Sequence, residues 1–474
     1  MTRFVPLMYF IRARPGHDYM KRRNTKPWYL RAMSSQTNLA ERGMAVGLRA
    51  LNKIASSDIV DRLGLRDQAE RLLHETTKTT MRTAATAGRT FAAAQKLSRP
   101  ARQPKAGRTD LFDLTPTDEQ QMLRDSVREF ALAKLRPVAE AADNACEMPA
   151  ELLSAANELG LSMVGVPEQL GGAVEERSAV TSVLMSEALA QGDMGMAVAC
   201  LAPAGVSTAL SLWGDADQQA TYLPEFVGDD VPAAGLALLE PRPLFDPFKL
   251  QTRARALDGG YVLHGAKSLV PRAADGELFI VSAELEDRGP ALFVVEAKAG
   301  GIAVQAQPAM GIRAAATGLL TFDGVELSEG ALLGEGDPAV YAECVALARL
   351  GWCALAVGTA QAVLDYVIPY VNERKAFGEP ISNRQAVAFT VANMAIELEG
   401  MRLATYRAAS RVDQDLSFSR EVSLARRLCG ERGMAIGSDG VQMLGGHGYV
   451  KDHPVERWYR DLRAAGLFEG GVLV

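Results

Sequence analysis

Residues 460–471 read RDLRAAGLFEGG, so a single carboxylate, Glu469, follows a run of paired charges and stands beside two glycines. Two other glycine-bearing segments precede it: residues 373–381 read ERKAFGEPI, and residues 442–449 read QMLGGHGY. A glycine turn that carries one carboxylate, close to segments rich in Arg, Gln and Gly, predicts one site. That site combines a general base, Glu469, with a scaffold for a large cofactor.

The size and composition of the chain indicate an ordinary globular protein. Its 474 residues are enough for roughly three domains and a substantial core. Apolar residues make up 48% of the sequence, as in ordinary globular proteins. The longest apolar stretch, residues 344–371, is interrupted by Arg349, Gly351 and Gly358. It predicts a buried core helix, and we expect no integral membrane segment.

The five cysteines are scattered and include no Cys-x-x-Cys pair. This pattern disfavours zinc ribbons and thioredoxin-like chemistry, and no metal site is indicated. Buried, reduced thiols in a cytosolic protein are the simpler interpretation. A complete Gly-x-Gly-x-x-Gly loop on a strand–helix unit is also missing, so the sequence does not support a nicotinamide site.

The charge is distributed unevenly along the chain. Residues 1–110 carry 22 Lys and Arg against 8 Asp and Glu, whereas the remainder carries 29 against 49. We therefore expect residues 1–110 to be a basic, partly helical extension of an acidic body. Residues 1–35 have the composition of a transit peptide, although Met33 would serve equally well as the true start. The expected location is the cytoplasm, or the mitochondrial matrix if this segment is a transit peptide. Partner contact and loose attachment both remain open for the extension.

The body divides into three regions by pattern. Residues 111–232 have helical periodicity, and we expect Thr115 to cap their first helix. Residues 233–337 contain short β-branched segments with turn signals at residues 258–260 and 323–324, which predict antiparallel hairpins. Residues 338–474 return to long helices. The predicted order is helix, sheet, helix bundle, an α+β protein.

From about residue 113 to the C-terminus, several short sequence blocks occur in an order and spacing that together indicate one protein family. They include TDEQ at residues 117–120, VPEQLGG at 166–172, WGD at 213–215, GIR at 311–313 and FDGV at 322–325. Together with the C-terminal segments, they resemble the acyl-CoA dehydrogenase family. The resemblance implies an N-terminal helical domain, a middle antiparallel β domain and a C-terminal four-helix bundle.

The resemblance also implies a reaction. Glu469 matches the family's base, which removes the α-proton of an acyl-CoA thioester in a dry pocket where its pKa rises. FAD would accept the hydride, giving a trans-2-enoyl-CoA. The backbone N–H of Glu469 and a ribityl hydroxyl of FAD would stabilise the enolate. The alternative base position of some members is Ala348 here, which favours Glu469.

The residues for cofactor and substrate follow from the same resemblance. Arg374 and Phe377 match residues that contact the FAD pyrophosphate and adenine across a subunit interface. Gln442 and Gly446 match the complementary stretch, where glycine permits close approach of the backbone.

The resemblance assigns roles to two further positions. Gly471 stands where the family has threonine, and we also assign it to cofactor binding. Arg349 matches a residue near the CoA portion of the substrate. Ordinary salt bridges remain alternatives for Arg374 and Arg349. The charged run at residues 455–461 predicts a structural ion-pair network, and His447 is predicted to be neither ligand nor base.

Two segments depart from the family pattern. The usual Thr-Glu-Pro is Leu239-Glu240-Pro241, and the polar residues that normally follow are replaced. After Lys267, the usual aromatic shield and threonine are Leu269 and Pro271, and proline has neither a hydroxyl nor an N–H. An altered flavin pocket is therefore expected.

These departures leave several interpretations open. The chain could be an active, divergent dehydrogenase, one partial-site subunit of a hetero-oligomer with a paralogue, a flavin-poor non-catalytic protein, or an acyl-CoA oxidase. The expected partners are an acyl-CoA substrate, an electron-transferring flavoprotein, and copies of the chain in a homodimer or homotetramer. No nucleic-acid partner is expected.

Overall fold

The structure is a computed structural model that describes residues 114–172, 177–228 and 230–470. The predicted basic extension, residues 1–110, lies outside these residues, as does Gly471. Within the described part, helices come first, a β-sheet follows, and long helices close the chain. The predicted α+β order is confirmed.

The N-terminal region is helical throughout, as predicted. Its helices are α1 Asp118–Phe130, α2 Ala139–Ala145, α3 Ala150–Glu158, α4 Ala179–Ala190, α5 Met194–Trp213 and α6 Ala216–Val227. The predicted cap is wrong by two residues, because Thr117 rather than Thr115 caps α1. The Thr117 hydroxyl accepts from the Gln120 N–H at 3.2 Å, and the Gln120 side chain accepts from the Thr117 N–H at 3.0 Å. Thr117 and Gln120 thus have the spacing and the two hydrogen bonds of a capping box.

The middle region forms one eight-stranded sheet. Its strands are β1 Ala234–Ala237, β2 Arg253–Leu257, β3 Gly260–Val270, β4 Leu278–Leu285, β5 Gly289–Glu296, β6 Ile302–Ala306, β7 Gly318–Ser328 and β8 Leu332–Leu333. The order is β6-β7-β3-β2-β4-β5-β8, with β1 on β4. Most pairs are antiparallel, but β1–β4 and β2–β4 are parallel. These two pairs are joined through long connections, which parallel pairing requires.

One of the two predicted hairpin turns is present. Residues 258–259 connect the antiparallel strands β2 and β3, with Gly259 at φ 82°. The other prediction is wrong, because Asp323 and Gly324 lie inside β7. The β3–β7 register shifts there, and Gly324 at φ 67° is the extra residue of a β-bulge. Glycine supplies the same left-handed backbone to both structures, so the dipeptide does not distinguish them.

The C-terminal helices are α7 Pro338–Glu373, α8 Gln385–Val412, α9 Ser419–Met443 and α10 Val455–Leu462. Between α7 and α8 lies a short hairpin, β9 Lys375–Ala376 and β10 Glu379–Pro380. Three helices of the predicted bundle are long, and the fourth is short. Among the described residues, α5 and α7 are long and apolar enough to cross a membrane. In each, 61% of the most apolar window is buried by the rest of the fold, as in core helices.

Ion pairs attach α10 to the N-terminal helices. Arg457 bonds Asp193 at 2.9 Å, and Arg460 bonds Asp143 and Glu456, each at 2.8 Å. The predicted structural role of this charged run is therefore confirmed. Because α10 is fixed in this way, the residues that follow it return to the bundle, where they pack against α7 and α9.

Candidate active site

Glu469 lies on a tight turn that follows α10. Its backbone is left-handed at φ 53°, and Gly470 follows at φ 98°. A side chain at position 470 would come within 2.7 Å of Pro247 Cδ and 3.1 Å of Arg349 Nη2. Glycine avoids both contacts and adopts the positive φ of this position without strain.

Two arginines from neighbouring helices hold the carbonyl groups of this turn. Arg349, on α7, donates from Nε and Nη2 to the Glu469 carbonyl oxygen at 3.0 and 2.7 Å. Arg426, on α9, donates from Nη2 to the carbonyl oxygens of Phe468 and Gly470. The sequence prediction assigned Arg349 to substrate binding. The structure gives its guanidinium a direct contact with the predicted base, and a contact with CoA stays a prediction.

The Glu469 carboxyl is buried, with a relative exposure of 6%, and its Oε2 atom has no hydrogen-bond partner among the described residues. Burial raises the pKa of Glu469 to about 7, against smaller opposing contributions from Arg426, Trp352 and Arg349. The Trp352 ring stacks on Phe468 with centroids 4.2 Å apart, so an apolar wall adjoins the carboxyl. A carboxyl with this pKa exchanges its proton near neutral pH.

An apolar cavity of about 260 Å³ opens beside Glu469 between α4, α5 and α7. Small residues make room for it: Ala202 and Gly205 on α5, and Ala348 and Gly351 on α7. A Cβ atom at Gly351 would meet no atom within 4 Å. Polar groups on its wall are few and include Arg177 and Thr208.

The altered β-domain segments border the same cavity. Leu239, Leu269 and Pro271 line it. The Ser268 hydroxyl and the Leu269 N–H both donate to Gln307 Oε1, at 3.0 and 2.8 Å. Two hydrogen-bond donors near the predicted flavin edge are thus already bonded to Gln307, and Pro271 has no N–H to donate.

A buried ion pair, which sequence reasoning missed, joins these two segments. Lys267 Nζ contacts Glu240 Oε1 at 3.0 Å, and both side chains are at most 1% exposed. Glu240 also accepts the N–H groups of Gln251 and Thr252 at 2.8 and 2.9 Å. Burial lowers the pKa of Lys267 to about 8, although Glu240 opposes the shift. The sequence shows Glu240-Pro241 and Lys267 as two separate family-like segments. The contact between their side chains could not be predicted, because the sheet brings them together.

The predicted cofactor residues lie together at the far end of α7. Arg374, Phe377, Gln442 and Gly446 are all exposed, Phe377 by 94%. Tyr370, one turn before Arg374, donates to the Leu444 carbonyl at 3.4 Å and pairs with His447 at 2.9 Å. These contacts bring the two predicted segments to one surface. No hydrogen bond or ion pair joins the Arg374 guanidinium to another described residue.

This surface is far from Glu469 within one chain. Arg349 contacts Glu469, and Arg374 follows it by 25 positions along and just past α7. At 1.5 Å per residue, the helix separates the two places by about 37 Å.

Comparison with known proteins identifies the family. Residues 117–230, 235–325 and 338–471 match the N-terminal, middle and C-terminal domains of acyl-CoA dehydrogenase, respectively. The short/branched chain specific acyl-CoA dehydrogenase of Rattus norvegicus is 33% identical over 364 residues, covering 75% of this chain and 83% of that protein. An acyl-CoA dehydrogenase of Bacillus subtilis is 32% identical, covering 75% and 95%. The chain belongs to the acyl-CoA dehydrogenase family.

Solved structures agree with this assignment. The butyryl-CoA dehydrogenase of Megasphaera elsdenii superposes with a TM-score of 0.71 at 26% identity, covering 76% of this chain and 97% of that one. The chain is therefore an oxidoreductase of the acyl-CoA dehydrogenase type, and its cofactor is FAD.

The residues present fit FAD. Arg374 offers a cation, Phe377 offers an exposed ring with the Arg384 guanidinium 5.1 Å from its centroid, and no atom lies within 4 Å of a Cβ built on Gly446. The apolar wall at Leu269 and Pro271 suits a flat ring system.

Proposed function

We propose that this protein dehydrogenates an acyl-CoA thioester to a trans-2-enoyl-CoA and that Glu469 removes the α-proton. One observation carries the proposal: a buried carboxylate with a pKa of about 7 lines an apolar cavity. A carboxylate without its hydration shell is a stronger base than one in water, and this pKa matches proton transfer near neutral pH.

The chain's own groups account for the proton step. A Glu469 carboxylate oxygen accepts the α-proton while the C–H electron pair moves into the thioester as an enolate. The Glu469 backbone N–H donates to no other described residue, so it is free to bind the developing oxyanion. When bound, FAD supplies the acceptor for the β-hydrogen and its electron pair. We propose an electron-transferring flavoprotein as the next electron acceptor.

The cavity supports a medium-length acyl chain. A cavity of about 150 Å³ holds the six carbons of benzene. On that scale, the 260 Å³ beside Glu469 would hold roughly ten carbons. The small residues Gly205 and Gly351 keep the cavity open at its middle.

We propose a homodimer or homotetramer, because one chain cannot bring both parts of the FAD site together. The Arg374 surface and Glu469 are about 37 Å apart along α7, so the Arg374 surface of a second copy would complete the site. On α8, Phe389, Ile396 and Leu403 are 63%, 68% and 49% exposed at intervals of seven residues. They form an apolar stripe of the kind that packs against another helix.

The purified full chain tests the enzyme proposal directly. We expect a yellow protein whose flavin absorbance bleaches when an acyl-CoA is added without oxygen. A colourless protein that takes up no added FAD would instead identify a non-catalytic or partial-site subunit. Hydrogen peroxide formation without an added acceptor would identify an acyl-CoA oxidase, an outcome kept open by Leu269 in place of the aromatic shield.

We also propose that the protein works in the cytoplasm, with the mitochondrial matrix as the alternative. The basic composition of residues 1–35 is the basis for that alternative. Sequencing the N-terminus of the mature protein distinguishes them, because import into mitochondria removes a transit peptide.

A further inference from the structure

Three consecutive carbonyl groups around Glu469 are held by guanidinium groups from two helices, the half-buried Arg349 and the buried Arg426. Arg349 binds the carbonyl of Glu469, and Arg426 binds those of Phe468 and Gly470. We propose that Arg426 is a positioning residue that fixes the Glu469 turn and places a permanent positive charge behind its carboxylate. The proposal rests on the proposed role of Glu469 as the base.

The geometry allows Arg426 to act only through the turn. Its side chain is 4% exposed and comes from α9, and Arg426 is not one of the described residues that line the cavity. One nitrogen, Nη2, bridges the carbonyls on either side of Glu469. Because Glu469 is held at a positive φ between these two anchors, rotation of its peptide groups would break at least one hydrogen bond.

The remaining donors of Arg426 lack hydrogen bonds to the described residues, and Glu469 is the carboxylate that attracts its charge. Its Nε and Nη1 atoms are buried and have no hydrogen-bond partner among the described residues, and Glu469 Oε2 is in the same position. A buried cation without a full set of partners interacts strongly with a nearby carboxylate. Arg426 is the largest influence that lowers the pKa of Glu469 against the effect of burial.

Arg349 supplies a second positive charge near Glu469, and the other groups that approach the carboxyl are neutral. Arg349, Tyr341 and Cys344 approach it from α7. Burial raises the pKa of the Tyr341 hydroxyl and the Cys344 thiol, so both are neutral when Glu469 titrates. Cys353 and Cys429 lie beside Arg426, and their mutual contact raises the pKa of the Cys353 thiol. Arg349 and Arg426 are the cations that face the carboxyl.

Two substitutions at Arg426 separate charge from geometry. Arg426→Gln removes the charge but keeps an N–H donor, and Arg426→Lys keeps the charge but loses the planar fork. The matched control is Arg427→Gln, at the next position on α9, where the side chain is 66% exposed and pairs with Glu431. Flavin content and thermal midpoint are recorded for each purified holoenzyme.

The readout is the pH midpoint at which the Glu469 carboxyl loses its proton. Infrared difference spectra of its carboxyl band, recorded without substrate, measure this midpoint. The spectrum of Glu469→Gln identifies that band. The rate of anaerobic flavin bleaching by an acyl-CoA is measured across the same pH range. An opposite charge within 4–6 Å typically changes a carboxyl pKa by one to three units. We therefore expect Arg426→Gln to move the midpoint upward by about one unit or more, with ~5-fold less bleaching at pH 7.

Arg426→Lys should leave the midpoint in place and slow bleaching, because the turn is held less firmly. An unchanged midpoint in Arg426→Gln, or a wild-type bleaching rate in Arg426→Lys, would overturn the proposal. If Arg426→Gln does not fold, the Arg426→Lys rate decides. The infrared midpoint could shift in Arg426→Gln while no acyl-CoA bleaches the flavin of the wild type. That result would leave the Arg426 role intact and refute the proposed reaction.

Discussion

The Arg349 guanidinium donates two hydrogen bonds to the carbonyl oxygen of Glu469, at 2.7 and 3.0 Å. This contact joins the C-terminal turn to α7, the longest helix of the described chain. The same helix carries Ala348 and Gly351 on the cavity wall and leads to Arg374 at its other end. One helix therefore sets the base, the acyl cavity and the outer cofactor surface relative to each other.

The first prediction concerns the pH dependence of the reaction. Burial raises the pKa of Glu469 to about 7, so the carboxyl is protonated below that pH and ionised above it. Since only the ionised form accepts a proton, bleaching of the flavin should speed up as pH rises through about 7. Stopped-flow absorbance from about pH 5.5 to 8.5 measures this. A rate that is flat across the range would contradict the assignment.

The second prediction concerns the buried pair Lys267–Glu240. Lys267→Met leaves the buried Glu240 carboxylate with only the more distant Arg242, at 3.9 Å, which should cost about 3–5 kcal/mol of stability. Thermal unfolding at fixed protein and FAD concentrations measures the loss. Adding Glu240→Gln should recover much of it, because no unpaired carboxylate remains and the amide oxygen still accepts a backbone N–H. The control Lys298→Met removes an exposed pair and should leave the midpoint unchanged. Equal effects of the two lysine variants would refute the role of burial.

The third prediction tests the size of the acyl cavity. Gly351→Leu projects a side chain into open space on the cavity wall, so it should fill part of the 260 Å³. We expect kcat/KM to fall at least tenfold for acyl chains of about ten carbons and to change little for four carbons. A matched series of straight-chain acyl-CoA substrates measures it. An equal loss at every length would mean that the cavity does not hold the chain.

The fourth prediction tests the assembly. Ile396→Glu puts a charge at the centre of the apolar stripe on α8, so it should dissociate the oligomer and lower the FAD content together. Light scattering and the ratio of flavin to protein absorbance report both. Met122→Glu, on α1 and 66% exposed, is the control and should alter neither. Retention of full FAD by a monomer would show that one chain suffices.

The order of the domains was predictable because hydrophobic periodicity and turn residues are local signals. The errors arose where one local signal fits two structures. Thr115 and Thr117 are both capping residues, and Gln120 selects Thr117. Asp323-Gly324 suits a hairpin and a bulge alike, and only pairing with β3 distinguishes them.

For the candidate site, Glu469 stood out because two glycines follow it. Arg426 gave no such signal, since an arginine on a helix is usually a surface charge. Its role depends on carbonyl groups more than forty positions away in the chain. Lys267 and Glu240 were visible as sequence landmarks, but their contact is set by the sheet.

Glu469→Gln tests the central claim most directly. The substitution keeps the size of the side chain and removes the carboxylate that accepts the proton. Anaerobic bleaching of bound FAD by an acyl-CoA is measured for the wild type and for this variant at equal flavin content. We expect the variant to retain FAD and to lose bleaching by at least a hundredfold. Bleaching at the wild-type rate would show that Glu469 is not the base.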